Sequence, residues 1–379
     1  MPSPSLIEMM TGLIETPSVS CSVAAFDMSN EAVIDLLANW LQDLGFSLRK
    51  QRVKEGKFNL VASIGSGSNG LVLSGHTDTV ACDDHLWQSD PFEFTERDGR
   101  FYGLGSADMK SFLAMAIEAS KAFSSNQLIR PLTIVATADE ETTMSGARLL
   151  ADSGERLGRY CVIGEPTNLK PVHQHKGMMM ESIRFVGHAG HSSNPALGNN
   201  ALEAMQLFIQ RLLGYREGLQ QRHVNPAFEV QVPTLNLGHI HGGDSANRIC
   251  GACELHIDLR PLPGMALTPL RRDIQEIAHQ VAAERNLQVQ CESLFDGIPA
   301  AHTDTSSELN LYLEELCSSK SGSVAFGTEA PFFNQMGADT IVMGPGSIDQ
   351  AHQPDEFLSA AQIDPTVQIL RQLIQRFCC

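Results

Sequence analysis

The sequence lacks any apolar run that approaches the ~20 residues required for a membrane-spanning helix. Its first residues, Met1–Ser5, also lack the charged and apolar regions of a secretory signal peptide. Neither an internal repeat nor a low-complexity segment is present in the chain. From these absences we expect a cytoplasmic protein that has no membrane partner.

Positive charge is scarce in this sequence. Lys and Arg total 27 against 44 Asp and Glu, which gives a formal net charge of −17. Nucleic acids and anionic membranes are bound by clustered Lys and Arg, so we expect neither as a partner. With 42% hydrophobic and 19% charged residues, the composition is that of a globular protein. A length of 379 residues predicts two or three domains.

The 9 cysteines show no disulfide-framework spacing, and their odd number predicts reduced thiols. Cys250 and Cys253 form a C-x-x-C pair. No second pair completes the four ligands of a structural zinc site, so we interpret both as buried thiols. A G-x-S-x-G motif is also missing, which leaves no sequence support for a covalent serine intermediate.

The segment Gly65–Gly70 has the spacing G-x-G-x-x-G. A dinucleotide site requires such glycines to open a helix, whereas here an apolar strand follows at once. We therefore predict a hairpin loop at this position. These glycines are the only support for a nicotinamide oxidoreductase, which makes it the weakest candidate function.

Short apolar strands alternate with helices between residues 58 and 165, and the C-terminal part resumes this pattern. The alternation predicts a mostly buried α/β sheet with helices on its faces. The predicted strands are Asn59–Ile64, Leu71–Ser74, Leu132–Ala136, Tyr160–Ile163 and Thr340–Met343, and the predicted helices are 30–44, Met109–Ala122 and 362–377.

The pattern changes after Gly177 to β-α-β-β-α-β, which is typical of a small ferredoxin-like α+β domain inserted into a larger one. In its second helix, Thr268 is the predicted N-cap and Pro269 follows it. We predict a mostly parallel-sheet α/β domain over 1–176 and 294–379, with the inserted domain over 177–293.

Polar side chains gather where the predicted strands end. His76 and Asp78 follow one strand, Glu140 and Glu141 follow the next, and Glu165 ends a third. Asp108 opens a helix and His352 follows the last strand. Taken singly, the His-x-Asp is consistent with a pair in which the Asp78 carboxylate accepts a hydrogen bond from the His76 ring, and Asp108 with an N-cap. Because ligands of open α/β sheets bind beyond the carboxyl ends of strands, the whole set predicts a site for zinc, cobalt or manganese.

These residues resemble the co-catalytic two-zinc aminoacylase and desuccinylase family, which includes carboxypeptidase G and succinyl-diaminopimelate desuccinylase. The resemblance covers nearly the whole chain and shows no departure from the family's metal pattern. The segments that carry it are Gly75-His-Thr-Asp-Thr79, Asp108-Met-Lys110, Asp139-Glu-Glu-Thr142, Gly164-Glu-Pro166, 233–243, Gly327-Thr-Glu-Ala-Pro331, Gly344-Pro-Gly-Ser-Ile348 and His352.

The resemblance implies a zinc-peptidase-like catalytic domain that binds two divalent metals, zinc, with cobalt as the alternative. His76 and Glu165 would bind one metal, and Glu141 and His352 the other. Asp108 would bridge both metals. The resemblance also implies that Asp78 orients His76, and that a cis peptide bond joins Asp108 to Met109.

The resemblance further implies that the inserted domain is a dimerisation domain of a homodimer, and that His191 on it reaches the partner subunit's active site. Glu140 would be the general base and then the general acid, with a metal-bridging hydroxide as the nucleophile. The substrate carboxylate would be held by Asn247 and Arg260. Gly327 and Thr328 would line the same pocket. Charge complementarity suggests Glu329 as the partner of a substrate ammonium group.

The resemblance implies metal-dependent hydrolysis of the amide bond of N2-acetyl-L-ornithine to acetate and L-ornithine, a reaction of arginine biosynthesis. Within the same class, a desuccinylase, an aminopeptidase or a broad aminoacylase is the alternative, also acting on a small N-acylated amino acid. A metal-binding regulatory domain without hydrolysis is an alternative from another class. The presence of Glu140 beside Glu141 favours an enzyme over that reading.

Overall fold

The computed structural model describes residues 4–379. Its helices are α1 Leu6–Ile14, α2 Glu31–Asp43, α3 Lys110–Ser120, α4 Ser145–Asp152, α5 Ala201–Arg222, α6 Leu267–Arg285, α7 Glu308–Leu316, α8 Ala330–Gln335 and α9 Ile363–Cys378. Its strands are β1 Ser47–Lys54, β2 Lys57–Ile64, β3 Leu71–His76, β4 Thr95–Arg97, β5 Arg100–Tyr102, β6 Leu132–Thr137, β7 Tyr160–Pro166, β8 Val172–His175, β9 Met179–Val186, β10 Thr234–Gly242, β11 Ala252–Arg260, β12 Gln288–Ser293, β13 Ala301–His302, β14 Gly322–Val324, β15 Asp339–Gly344 and β16 Phe357–Ser359.

The chain divides into two compact units. The first comprises Met1–His173, His302–Gly322 and Thr328–Cys379, and the second comprises Gln174–Ala301 and Ser323–Gly327. None of the helices within residues 4–379 is long and apolar enough to cross a membrane.

The largest sheet is mixed and has the strand order β1-β2-β6-β3-β7-β15-β8-β13, and β14 pairs with β8. Its strands β1, β2, β3, β6, β7 and β15 belong to the first unit. The middle strands β6, β3, β7 and β15 run parallel, while β1, β2 and β8 join through antiparallel pairs. The parallel centre confirms the predicted α/β class. A smaller antiparallel sheet has the order β16-β5-β4.

Helix α3 is buried along almost its whole length, because it packs between α1 and α9 and against β3. Gly164 of β7 allows this close packing. A Cβ atom at that position would lie 2.0 Å from Cγ of Phe112, so any other residue would displace α3. The neighbouring Glu165 is therefore carried by a strand that is held directly against the buried helix.

The second unit has the predicted β-α-β-β-α-β order, from β9 to β12, in an antiparallel sheet ordered β10-β11-β9-β12. Helices α5 and α6 cover one face of this sheet. Alternate residues of β11 explain the packing: Cys253, Leu255 and Ile257 are buried, whereas Glu254 and His256 between them are half-exposed.

Two local predictions were wrong. The loop Gly65–Gly70 does not close a hairpin, since β6 lies between β2 and β3 and pairs with both. Helix α6 begins at Leu267 with Ala266 as its N-cap, so Thr268 lies inside its first turn. Cys250 and Cys253 are buried free thiols, as predicted.

Candidate metal centre

The carboxyl ends of three parallel strands deliver most of the site. His76 is the last residue of β3, and Glu165 lies near the end of β7. Glu140 and Glu141 follow β6 in a turn that starts at Asp139. Because β6, β3 and β7 are parallel neighbours, these ends meet at the same edge of the sheet.

Two loops complete the site. Asp108 directly precedes Met109, the N-cap residue of α3, and the peptide bond between Asp108 and Met109 is cis, as the resemblance implied. His352 lies in the loop after β15 and has a φ of 61°, in the left-handed region. A non-glycine residue in that region is uncommon, which fits a side chain that is held in one direction by its surroundings.

The first triad consists of His76, Asp108 and Glu165, all of them buried. The Nε2 atom of His76 lies 3.1 Å from Oδ1 of Asp108. It also lies 3.9 Å from Oε2 of Glu165. The nearest ligand atoms of the three residues lie within 4.8 Å of one another, a spacing that one metal ion can span.

The second triad consists of Asp108, Glu141 and His352, and it shares Asp108 with the first. The Nε2 atom of His352 lies 3.0 Å from Oε2 of Glu141 and 3.7 Å from Oδ2 of Asp108. Asp108 therefore directs one carboxylate oxygen toward each histidine. The structure brings the five predicted ligands together, with Glu140 beside them in a further group with His76 and Glu141.

Charge crowding in this cluster moves several pKa values. Burial, together with the Glu165 carboxylate, raises the pKa of Glu140 well above its usual range. Burial and the Asp108 carboxylate do the same to the pKa of Glu165. Burial works against the charged form of His76, but the hydrogen bond to Asp108 and the nearby Glu165 and Glu140 carboxylates together outweigh it and raise the pKa of His76. Bound cations relieve the mutual repulsion of the carboxylates in this cluster.

The donor set fits divalent metals. Imidazole nitrogens and carboxylate oxygens are the ligands that zinc, cobalt and manganese take. The Oε1 atom of Glu165 is buried without a hydrogen-bond partner, which a carboxylate aimed at a cation explains. Nδ1 of His76 is engaged 2.9 Å from the backbone oxygen of Asp78, so Nε2 is the nitrogen left to bind a metal.

Asp78 contacts His76 differently from the sequence interpretation. The hydrogen bond to Nδ1 involves the backbone carbonyl of Asp78, while its carboxylate oxygen lies 3.8 Å away from that nitrogen. The carboxylate instead accepts the N–H groups of Glu140 at 3.2 Å and Glu141 at 3.1 Å. Asp78 thus ties the histidine to the turn that carries both glutamates.

Asp139 supports the same turn and was given no role from the sequence. Its φ is 66°, and its carboxylate accepts hydrogen bonds from Thr143 at 2.7 Å and Ser145 at 3.0 Å. Lys54 lies 2.9 Å and the buried Lys57 lies 3.8 Å from its oxygens. Despite burial, Lys54, Thr143 and Ser145 lower the pKa of Asp139 to about 2. In the sequence, the signal that could have identified Asp139 was its position next to Glu140.

Glu356 is the second residue that sequence reasoning missed. Its buried carboxylate accepts three backbone N–H groups, from Gly105 at 3.1 Å, Ala107 at 2.7 Å and Asp108 at 3.0 Å. Burial, with the nearby Asp108 carboxylate, raises the pKa of Glu356 to about 8, although the N–H donors oppose this. A carboxylate four residues after His352 was the available signal.

We expect Glu356→Ala to lower the free energy of unfolding by at least about 2 kcal/mol, because each buried donor left unpaired costs about 1–3 kcal/mol. Urea unfolding followed by circular dichroism measures the change. Glu356→Gln is the matched control: its remaining oxygen can still accept the N–H groups of Ala107 and Asp108, so we expect a smaller loss. An alanine variant within about 0.5 kcal/mol of the native protein would contradict this role.

Thr328 and Glu329 belong to the first unit, where Glu329 is the N-cap residue of α8. The Glu329 side chain is buried and accepts a hydrogen bond from the Thr137 hydroxyl at 2.9 Å. Its other oxygen, Oε1, is buried without a hydrogen-bond partner. Burial raises the pKa of Glu329 to about 7.

Four other predicted residues belong to the second unit: His191, Asn247, Arg260 and Gly327. His191 is exposed, and its Nδ1 lies 2.8 Å from the Ser193 hydroxyl. The side-chain oxygen of Asn247 accepts from a serine hydroxyl at 2.6 Å, and Arg260 donates to Asp258 at 3.0 Å. Their roles toward substrate stay predictions.

We compared the sequence with protein families and with curated proteins. The family model described as peptidase family M20/M25/M40 matches residues 72–376. A protein named acetylornithine deacetylase from Proteus mirabilis is 48% identical over 99% of this chain and 97% of its own length. Proteins of the same name from Edwardsiella ictaluri and Vibrio campbellii are 49% and 46% identical, over 98% and 100% of their lengths and 99% and 100% of this chain.

Solved structures share the fold at low identity. An M20 family metallo-carboxypeptidase from Sulfolobus solfataricus has a TM-score of 0.77 at 15% identity and covers 99% of both chains. A dinuclear metal-binding M20 peptidase from Bacillus subtilis has a TM-score of 0.69 at 15% identity, covering 98% of this chain and 97% of its own. A tripeptidase from Staphylococcus aureus has a TM-score of 0.75 at 18% identity, covering 98% and 97%.

Proposed function

The chain belongs to peptidase family M20/M25/M40 and is a metal-dependent amidohydrolase, and we propose that it hydrolyses N2-acetyl-L-ornithine to acetate and L-ornithine. One observation carries the reaction: Glu140 lies beside two ligand triads that share Asp108. The substrate follows from the full-length relatives named acetylornithine deacetylase. The proposal places the protein in arginine biosynthesis in the cytoplasm.

Residues of the first unit are proposed to bind the two metals that hydrolysis requires. His76, Asp108 and Glu165 would hold one divalent metal, and Asp108, Glu141 and His352 the other. The chemistry that such a metal pair supplies when bound is polarisation of the acyl carbonyl and a lower pKa for the attacking water. Zinc suits these nitrogen and oxygen donors, and cobalt is the alternative.

Glu140 is the residue that moves the proton. It accepts a proton from the water that attacks the acetyl carbonyl, and it delivers that proton to the amine as the amide bond breaks. Its backbone N–H donates to the carboxylate of Asp78 at 3.2 Å, which anchors the main chain from which the side chain extends. His191 is proposed to stabilise the developing oxyanion from the partner subunit's inserted domain.

A substrate panel tests the function. Turnover of N-acetylornithine, N-succinyl-diaminopimelate and N-acetylmethionine would be measured with no added metal, with zinc and with cobalt. We expect the highest kcat/KM for N-acetylornithine and loss of activity after thorough chelation. Preference for the succinylated substrate would assign the chain to a desuccinylase, and activity that survives chelation would contradict the mechanism.

Recognition of the ornithine side chain is proposed for Glu329, because a buried carboxylate oxygen without a partner suits an ammonium group. Removing a hydrogen bond to a charged group costs about 1.5–3 kcal/mol. We therefore expect Glu329→Gln to raise the KM for N-acetylornithine about tenfold or more, since 1.4 kcal/mol is a factor of ten. The KM for N-acetylmethionine, which has no ammonium group, serves as the control, and an equal rise for both substrates would refute this role.

Asn247 and Arg260 are proposed to hold the substrate carboxylate, and Gly327 and Thr328 to line the same pocket. Arginine pairs with carboxylates through two parallel N–H groups, which suits Arg260 to this task. In the structure its guanidinium already donates to the neighbouring Asp258, so substrate binding would exchange one carboxylate partner for another.

A homodimer through the second unit is also proposed. Strand β10 is an edge strand, and such an edge pairs readily with a second copy. Ile240 on β10 is 54% exposed and Leu202 on α5 is 48% exposed, and both line an apolar cavity of about 350 Å³. A contiguous apolar surface of this kind is typical of a protein interface.

We expect sedimentation to give a dimer for the native protein and a monomer for the Leu202→Glu/Ile240→Glu variant, since two carboxylates would be desolvated in the interface. Leu311→Glu is the matched control, because Leu311 is 52% exposed on α7 of the first unit. A native monomer, or a double variant that remains dimeric, would refute this interface.

A further inference from the structure

Three arginines lie close together at the end of the central sheet opposite the metal centre. Two of these arginines, Arg130 and Arg159, precede β6 and β7. Asn69 precedes β3 at the same edge. These strands are parallel, so their amino ends share one edge of the sheet. With a rise of about 3.3 Å per residue, the six residues of β3 separate this edge from His76 by roughly 17–20 Å.

A cavity of about 400 Å³ opens at this edge, and Arg376 of α9 supplies the third guanidinium. The cavity wall also includes Ser68 and Asn69, which belong to the glycine-rich loop Gly65–Gly70. Asn69 has a φ of 62° in this loop. The loop therefore contributes a hydroxyl and an amide side chain, both able to donate hydrogen bonds.

The charges in this cavity are unbalanced. Glu308 is the one carboxylate of its wall, and it already accepts hydrogen bonds from Arg376 at 2.9 Å and the Tyr160 hydroxyl at 2.8 Å. Within residues 4–379, Arg130 and Arg159 form no ion pair. The Arg159 guanidinium lies 5.2 Å from the centre of the Tyr160 ring, which holds it at the cavity.

Three guanidinium groups and one carboxylate leave a local charge of +2 on a chain whose net charge is −17. The net charge of the chain supplies no general attraction for anions, so an anion that binds at this edge of the sheet must be recognised by the cavity itself. Guanidinium groups present N–H donors in a fork that matches the oxygens of phosphate, which also carries two charges near neutral pH.

We propose that this cavity binds a phosphate group, as inorganic phosphate or as the phosphate of a small monoester. Arg130 and Arg159 would supply the free guanidinium forks, Arg376 would stay paired with Glu308, and Ser68 and Asn69 would donate to the remaining oxygens. The site shares no residue with the metal centre, so the test of phosphate binding is independent of the test of the proposed reaction.

Isothermal titration of the metal-loaded protein with inorganic phosphate tests the proposal. Phosphate that binds at the metals contributes equally in every variant, so the comparison isolates the cavity. We expect the Kd of the cavity site to rise at least tenfold in Arg130→Gln/Arg159→Gln. Arg130→Lys/Arg159→Lys, which keeps the charge but loses the forks, is expected to give a smaller rise. Arg272→Gln is the control, because Arg272 is an exposed arginine of the second unit.

Thermal unfolding provides a second readout, since a ligand of the folded state raises Tm. We expect phosphate to raise the Tm of the native protein and of Arg272→Gln, but not that of the double glutamine variant. Titration with AMP in parallel identifies the source of the phosphate group: a lower Kd for AMP assigns a monoester, and a lower Kd for phosphate assigns the free ion. Equal phosphate affinity in the native protein and the double glutamine variant would overturn the proposal.

Discussion

We expect the Glu140→Gln variant to hydrolyse N-acetylornithine with a kcat lowered by about 10²–10⁴-fold, the range that general acid–base catalysis contributes. Glutamine keeps the shape of the side chain and the backbone hydrogen bond to Asp78, but it cannot accept a proton. Burial and the Glu165 carboxylate raise the pKa of Glu140. Steady-state kinetics on the metal-loaded variant measures the loss.

The metal content of Glu140→Gln should stay at that of the native protein, because neither of the triads that share Asp108 includes Glu140. Metal content therefore distinguishes a general base, whose loss leaves the metals bound, from a metal ligand, whose loss releases them. Glu96→Gln removes an exposed carboxylate of the first unit and should leave kcat unchanged. A kcat for Glu140→Gln within a few-fold of the native value would remove Glu140 from the mechanism, and a parallel loss of metal would make it a ligand instead.

Asp108→Asn should reduce both metal content and activity. Asp108 is the residue that the two triads share, with Oδ1 toward His76 and Oδ2 toward His352. The amide removes the negative charge and leaves a single oxygen acceptor. Since altering a partner outside the ligand shell already costs 10–100-fold in metal affinity, we expect a loss of at least about 10²-fold for this shared ligand.

Metal analysis by mass spectrometry after dialysis, together with kcat, measures this effect. Asp43→Asn, an exposed aspartate at the end of α2, is the matched control and should retain both metals. If Asp108→Asn kept two metals per chain with native affinity, Asp108 would not be a bridging ligand. If it lost one metal only, Asp108 would belong to a single triad.

The elements of the fold were largely predictable because their signals are local. The apolar strands β3 and β7 and the helix α3 were predicted to within a few residues, since period and length identify them. The position of β6 between β2 and β3 was not predictable, because strand order depends on pairing between distant segments. The N-cap at Ala266 was missed because no side chain caps α6 there.

The same distinction between local and long-range signals applies to the site. Motifs at strand ends identified candidate ligands, and the structure brings them within 4.8 Å in triads. Glu356 escaped notice because its contact with Asp108 joins residues 248 positions apart. Lys57 and Asp139 are likewise joined only in the folded chain, where β2 lies next to the strand that leads to Asp139. Supporting residues of this kind have no local sequence pattern.

The sequence by itself determined that the chain has too little positive charge for nucleic acid, that it alternates as an α/β protein, and that its polar residues follow strand ends. Tertiary structure alone decided which of those residues lie close enough to share an ion, which carboxylates hold the loops, and that the glycine-rich loop lies beside three arginines. The physical reason is range: periodicity and composition act over a few residues, whereas a ligand cluster needs distances between atoms that only the packed sheet sets.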